Sequence, residues 1–115
     1  MTRVLVCGGR DYADYWLVQE VLNGQHKISP ITCLIEGGAL GADRFAHRWA
    51  IDRGIEVERF VADWRMGAGA GPIRNRRMLV EGKPDLVIAF PGGKGTANMV
   101  RQARDSGVPV REIVE

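Results

Sequence analysis

Short apolar runs alternate along this chain with stretches whose apolar residues recur at helical spacing, and glycine-rich breaks separate the two. Val4-Leu5-Val6-Cys7 predicts a buried first strand, which stops at Gly8-Gly9-Arg10-Asp11-Tyr12. A helix is expected from about Asp14 to Gln25, with Trp16, Leu17 and Val21 on its apolar side and Gly24 and Ser29-Pro30 at its end. Thr32-Cys33-Leu34-Ile35 predicts a second strand, broken at Glu36-Gly37-Gly38-Ala39-Leu40-Gly41-Ala42-Asp43. Ala42, Phe45, Ala46, Trp49 and Ala50 follow at helical spacing, and Gly54 closes that helix. Ile55 to Val61 alternates apolar and charged residues, as a third strand near the sheet edge does. Asp63 to Pro72 reads as a loop, and Pro72 as the first residue of a helix through Leu79. Leu86-Val87-Ile88-Ala89-Phe90 is a fourth strand, ended by Pro91-Gly92-Gly93-Lys94-Gly95-Thr96. A helix to about Ser106, a cap at Gly107 and a last strand near Ile113 complete the chain.

Strands that alternate with helices imply a parallel sheet with right-handed crossovers. The expected fold is α/β: one Rossmann-like three-layer domain over all 115 residues, with about five parallel strands in the order 3-2-1-4-5 and helices on both faces. In that order the crevice where the strand order reverses lies between the first and fourth strands, at their carboxyl ends, where ligands bind.

Composition changes this picture little. Hydrophobic residues make up 45% and charged residues 26%, a globular balance. The net charge of +2 is too small to demand a nucleic-acid partner. Cys7 and Cys33 lie in apolar runs and suit a reducing compartment. With no signal peptide and no apolar run long enough for a bilayer, a cytoplasmic protein with no membrane partner is expected.

Glycine is the outlier, at 15 residues clustered in loops. Three glycine-rich segments follow strands and precede helices, so Gly8, Gly9, Gly37, Gly38, Gly41, Gly92, Gly93 and Gly95 are expected to bring backbone N–H groups against an anion. Thr96 would N-cap its helix or donate its hydroxyl to a phosphate, and Lys94 would add charge. Arg10 sits in the crevice loop as a candidate phosphate fork. Arg74-Asn75-Arg76-Arg77 opens its helix with cations against the helix dipole, which suggests a function for at least one of them. Glu36 ends a strand at the right edge, whereas Asp43 is better read as a cap or loop brace than as a catalyst. Trp16 and Trp49 are expected in the core, and Trp64 beside the cleft as a platform for a base. No catalytic triad and no cluster with metal-ligand spacing is visible around His26 or His47, so no metal and no cofactor is expected.

These residues carry a resemblance. Pro91-Gly92-Gly93-Lys94-Gly95-Thr96 resembles the PGGxGT signature of the Lonely Guy phosphoribohydrolases. The run from Gly37 through Asp43 to Ala46-His47, together with Arg74-Asn75-Arg76 and Gly8-Gly9-Arg10, resembles stretches of DNA-processing protein A. The chain is similar to the SLOG superfamily, its small size suggesting the YspA-like, YpsA-related branch. That resemblance implies binding of a nucleotide or nucleotide-derived ligand, with phosphate and ribose held by Arg10, the Gly37–Asp43 loop and the Gly92–Thr96 loop. It also implies an alternative enzyme, an N-glycoside hydrolase with Arg76 on the phosphate and Glu36 or Asp43 at the ribose. The glutamate that continues the Lonely Guy signature is replaced here by Met99. A third implication is single-stranded DNA binding through Arg74, Arg76, Arg77 and Trp64, and a fourth is a homodimer.

Overall fold

A computed structural model describes residues 1–114. Its elements are β1 (Thr2–Cys7), α1 (Tyr15–Ile28), β2 (Ile31–Glu36), α2 (Ala42–Asp52), β3 (Glu56–Arg59), a 3-10 turn (Trp64–Gly69), α3 (Ala70–Val80), β4 (Leu86–Ala89), α4 (Lys94–Asp105) and β5 (Val110–Glu112). The five strands form one parallel sheet in the order β3-β2-β1-β4-β5. This is the Rossmann-like arrangement that the alternation of patterns predicts.

The strands at the centre are apolar on both sides because both faces are covered. Val4 and Val6 of β1, Leu34 of β2 and Ile88 of β4 pack under α1 and α2, against Val18, Leu22, Ala46 and Trp49. Leu5, Cys7, Ile35, Val87 and Ala89 point the other way, under Met78 of α3 and Met99 and Ala103 of α4. Cys7 and Cys33 are both buried free thiols. The edge strand β3 is half-exposed, as its alternating sequence implies.

Several boundaries differ from the sequence reading for identifiable reasons. Helix α1 runs through Gly24 to Ile28, because the glycine there faces open space and interrupts no packing. Its N-cap is Asp14, whose carboxylate accepts from Leu17 N at 3.0 Å. Residues 64–69, expected as loop, form the 3-10 turn, capped by Asp63. Helix α3 begins at Ala70, so Pro72 is its third residue; proline is tolerated there because first-turn N–H groups have no intrahelical acceptor. Arg74 and Arg76 are therefore mid-helix and Arg77 lies in the last turn, where a cation is favoured, so the expected conflict with the dipole does not arise. Thr96 is the third residue of α4 and not its cap, a place held by Gly93. Trp16, expected in the core, is 77% exposed, because it stands on the first turn of α1 beside the buried face formed by Val18, Val21 and Leu22. Its ring meets Tyr15 edge-on at 5.1 Å.

Trp49 is the largest fully buried side chain. Its Nε1 donates to Asn23 Oδ1 at 2.9 Å, joining α2 to α1, and the Arg53 guanidinium lies over the ring at 4.8 Å. Trp49→Ala should therefore lower stability by about 3–5 kcal/mol, the usual range for emptying an aromatic core position. Urea denaturation measures this directly, and a loss below 1 kcal/mol would mean that the two helices are held together by something else.

Candidate functional site

The loops after β1, β2 and β4 meet at the carboxyl edge of the sheet, where β1 has β2 on one side and β4 on the other. They are interlocked through backbone. Gly9 N donates to Pro91 O at 2.9 Å, joining the first loop to the fourth-strand loop. Gly92 stands where a Cβ would collide with Thr96 Oγ1 and would lie 2.6 Å from Gly9 N. Gly41 has φ +76°, and a Cβ there would run into Gly9 O and lie 2.9 Å from Arg10 O. Side chains at these two positions would push the loops apart.

Between the loops lies a cleft of about 770 Å³. Gly8, Gly9 and Arg10 line it from the first loop; Gly37, Gly38 and Asp43 line it from the second. Gly92, Gly93, Gly95 and Thr96 close it on the far side, and Arg74 enters from α3. Cys7, Met78 and Met99 form the floor, and Trp64, 64% exposed, stands at the mouth. Burial pushes the Cys7 thiol up to about 12, so it stays protonated and unreactive. Four candidate residues are not in the lining. Gly41 is buried behind the first loop; Lys94 and Arg76 are exposed outside the cleft. Glu36 is fully buried beneath the second loop.

The cations of the cleft are held differently. Arg10 is exposed, with no partner among the described residues. Arg74 is oriented: Nε donates to Asn75 Oδ1 at 3.1 Å and Nη1 to Gly37 O at 2.7 Å, which leaves Nη2 unpaired. Gly93 offers no side-chain cap to α4, so the first-turn N–H groups beside it lack intrahelical acceptors.

Asn75, absent from the candidate set, proves central. It is 2% exposed and donates to Gly95 O at 3.2 Å and Asn98 Oδ1 at 3.1 Å, so α3 is tied to the start of α4. Its signal in the sequence was helical phase: Gly71, Asn75 and Met78 share the buried face of α3. Glu36 braces the second loop. Its Oε1 accepts from Gly38 N at 2.5 Å, and its Oε2 receives Arg59 Nε at 2.6 Å, with His47 Nδ1 at 3.2 Å. Cys33, Glu56 and Glu58 bring possible ligand atoms within 4.8 Å of one another, a spatial group that linear spacing does not reveal. Glu58 is already paired with Arg3 at 2.8 Å, and this group lies partway down the strands, away from the cleft.

Asp43 has two roles open to its two oxygens. Oδ2 accepts from Gly37 N at 3.0 Å and Ala39 N at 3.2 Å, which fixes the curve of the loop. Oδ1 has no partner, yet no fully buried side-chain oxygen or nitrogen among the described residues lacks one, so Oδ1 is open to the cleft. Burial raises the Asp43 carboxyl from 3.8 to about 6, against the opposing pull of the Ala39 N–H. A raised carboxyl favours the protonated folded state. Its contribution is full below pH 3.8 and is lost as pH rises through about 6, on the order of 3 kcal/mol. Asp43→Asn keeps an acceptor at Oδ2 and does not ionise. The stability difference between variant and parent should therefore shift toward the variant as pH rises from 3.5 to 7; parallel stability curves in urea at each pH would refute that raised carboxyl.

Residues 2–67 match the family model described as YspA, cpYpsA-related SLOG family. Those residues carry the first two cleft loops and end before Arg74 and the Pro91–Thr96 loop. The chain is 39% identical over 119 residues to the Gene 61 protein of Mycobacterium phage D29, taking in 96% of this chain and 94% of that protein. Among solved structures it is similar to DNA processing protein A (DprA) from Streptococcus pneumoniae, with a TM-score of 0.79 at 20% sequence identity. That match covers 98% of this chain and 50% of the other, so the chain spans about half the length of DprA, and at this identity the likeness is one of fold. No helix among the described residues is long and apolar enough to cross a membrane.

Proposed function

The chain belongs to the YspA, cpYpsA-related SLOG family, and from that premise and its cleft we propose that it binds a nucleotide or nucleotide-derived, phosphate-bearing ligand at the carboxyl edge of the sheet. The observation that carries this reading is the meeting of unpaired donors at one place. Arg10, Arg74 Nη2 and the uncapped start of α4 all border the same cleft, where the strand order reverses. An anion there gains charge-assisted bonds from groups that are already in position. Trp64 at the mouth offers a face for a base.

Binding is better supported than cleavage of an N-glycosidic bond. Hydrolysis needs a carboxylate at the reacting carbon. Met99 occupies the position where the resembled enzymes carry that group, Glu36 is sealed under its loop, and Asp43 is engaged in bracing. Arg76 lies outside the lining, which leaves Arg74, of the Arg74-Asn75-Arg76-Arg77 run, to join Arg10 at the phosphate. Single-stranded DNA is a second reading, favoured by the exposed Trp64 and by the resemblance in fold to a DNA processing protein.

A thermal-shift series separates the two. A mononucleotide at a hundred times its dissociation constant should stabilise the protein by about 2.7 kcal/mol. Arg10→Ala and Arg74→Ala should each reduce affinity by roughly tenfold or more, with little change from Arg76→Ala. A shift seen only with an oligonucleotide, and lost steeply as salt is raised, would replace the mononucleotide reading with nucleic-acid binding.

A further inference from the structure

The cleft that carries anion donors is also lined by a carboxylate, an acceptor once ionised. Asp43 is 5% exposed and lines the cleft, its Oδ2 is held by two backbone N–H groups, and its Oδ1, without a partner among the described residues, is not fully buried. A carboxylate oxygen fixed in this way repels a phosphate and must face a different part of any anionic ligand. Its place supports this. Asp43 belongs to the loop beside β2, whereas the uncapped start of α4 follows β4, and β1 runs between them. That placement lets a ligand with phosphate at the α4 side reach Asp43 with its sugar, across the β1 loop.

Resting on the nucleotide reading, we infer that Asp43 Oδ1 accepts a hydrogen bond from a ribose hydroxyl and makes this cleft selective for ribonucleotides over deoxyribonucleotides. The neighbouring surface supplies little competition for that hydroxyl. Cys7, Met78 and Met99 below are apolar or weakly polar, and the other nearby carboxylate, Glu36, is fully engaged with Gly38, Arg59 and His47. The same oxygen disfavours a DNA strand, whose internal sugars have no free hydroxyl and whose phosphates a carboxylate repels.

The test measures affinity by calorimetry for matched sets of ribo-, 2′-deoxy- and 3′-deoxynucleotides, as 5′-monophosphates and 5′-triphosphates of adenine and guanine. In the parent protein, loss of one hydroxyl should weaken binding by about tenfold or more. Asp43→Asn keeps an oxygen for Gly37 and Ala39 and turns an amide donor toward the cleft. It should remove the ribonucleotide preference, bringing the affinities for the ribo- and deoxy- forms within about twofold of each other. Retained deoxynucleotide binding also reports an intact fold. Equal affinity for all three sugars in the parent, or an unchanged preference in Asp43→Asn, overturns the assignment of Asp43 while nucleotide binding stands. Failure of every nucleotide to bind overturns the nucleotide reading itself, and this assignment with it.

Discussion

Backbone meets backbone at the centre of this site with no side chain between. Gly9 is the point of contact: its N–H is bonded to Pro91 O, its carbonyl abuts Gly41, and its nitrogen abuts Gly92. The positions of three loops, and through them the starts of α2 and α4, follow from that contact. A single Cβ at Gly41 or Gly92 would force the loops apart and open the cleft at its base. The parallel sheet supplies the reason for this crowding. Adjacent parallel strands deliver their loops about 4.8 Å apart, and at the switch point the helices leave on opposite faces, so the loops themselves must fill the gap.

Three buried polar side chains hold the interlocked loops in shape. Glu36 and Asp43 bond backbone N–H groups of the second loop, and Asn75 joins α3 to the start of α4. Among the described residues no fully buried side-chain oxygen or nitrogen is left without a partner, as burial demands. Their burial also decides their chemistry. Glu36 is occupied on both oxygens and touches no ligand space, while Asp43 keeps one oxygen for the cleft. Two acids adjacent in the fold thus have separate roles, one scaffolding and one scaffolding with an outward-facing acceptor. Arg74 follows the same rule: bonds from Nε and Nη1 orient it, and Nη2 has no partner among the described residues.

The strand order, the alternation of helices with strands and the two covered faces were legible in the sequence, as was the meeting of glycine-rich loops at one edge. Each rests on local periodicity, and periodicity records whether a position faces a core. Assignments that depended on helix phase fared less well. Arg74 and Arg76 are two residues apart, about 200° around a helix, so only one of them can face the cleft. The choice followed from a start at Ala70 and from burial of Gly71, Asn75 and Met78. Trp16 has the hydrophobicity of a core residue, yet its phase on α1 leaves it in solvent.

What the sequence determined by itself was the architecture and the place of the cleft, because strand length, helical spacing and glycine clusters are properties of neighbouring residues. What the tertiary structure decided was which side chains the cleft receives. Glu36 meets Arg59 from β3 and His47 from α2, Arg74 reaches Gly37 across the sheet edge, and Asn75 reaches Gly95. Those partners are separated by 11 to 37 residues in the chain, and no local pattern encodes a hydrogen bond between groups that only the folded sheet brings within 3.2 Å.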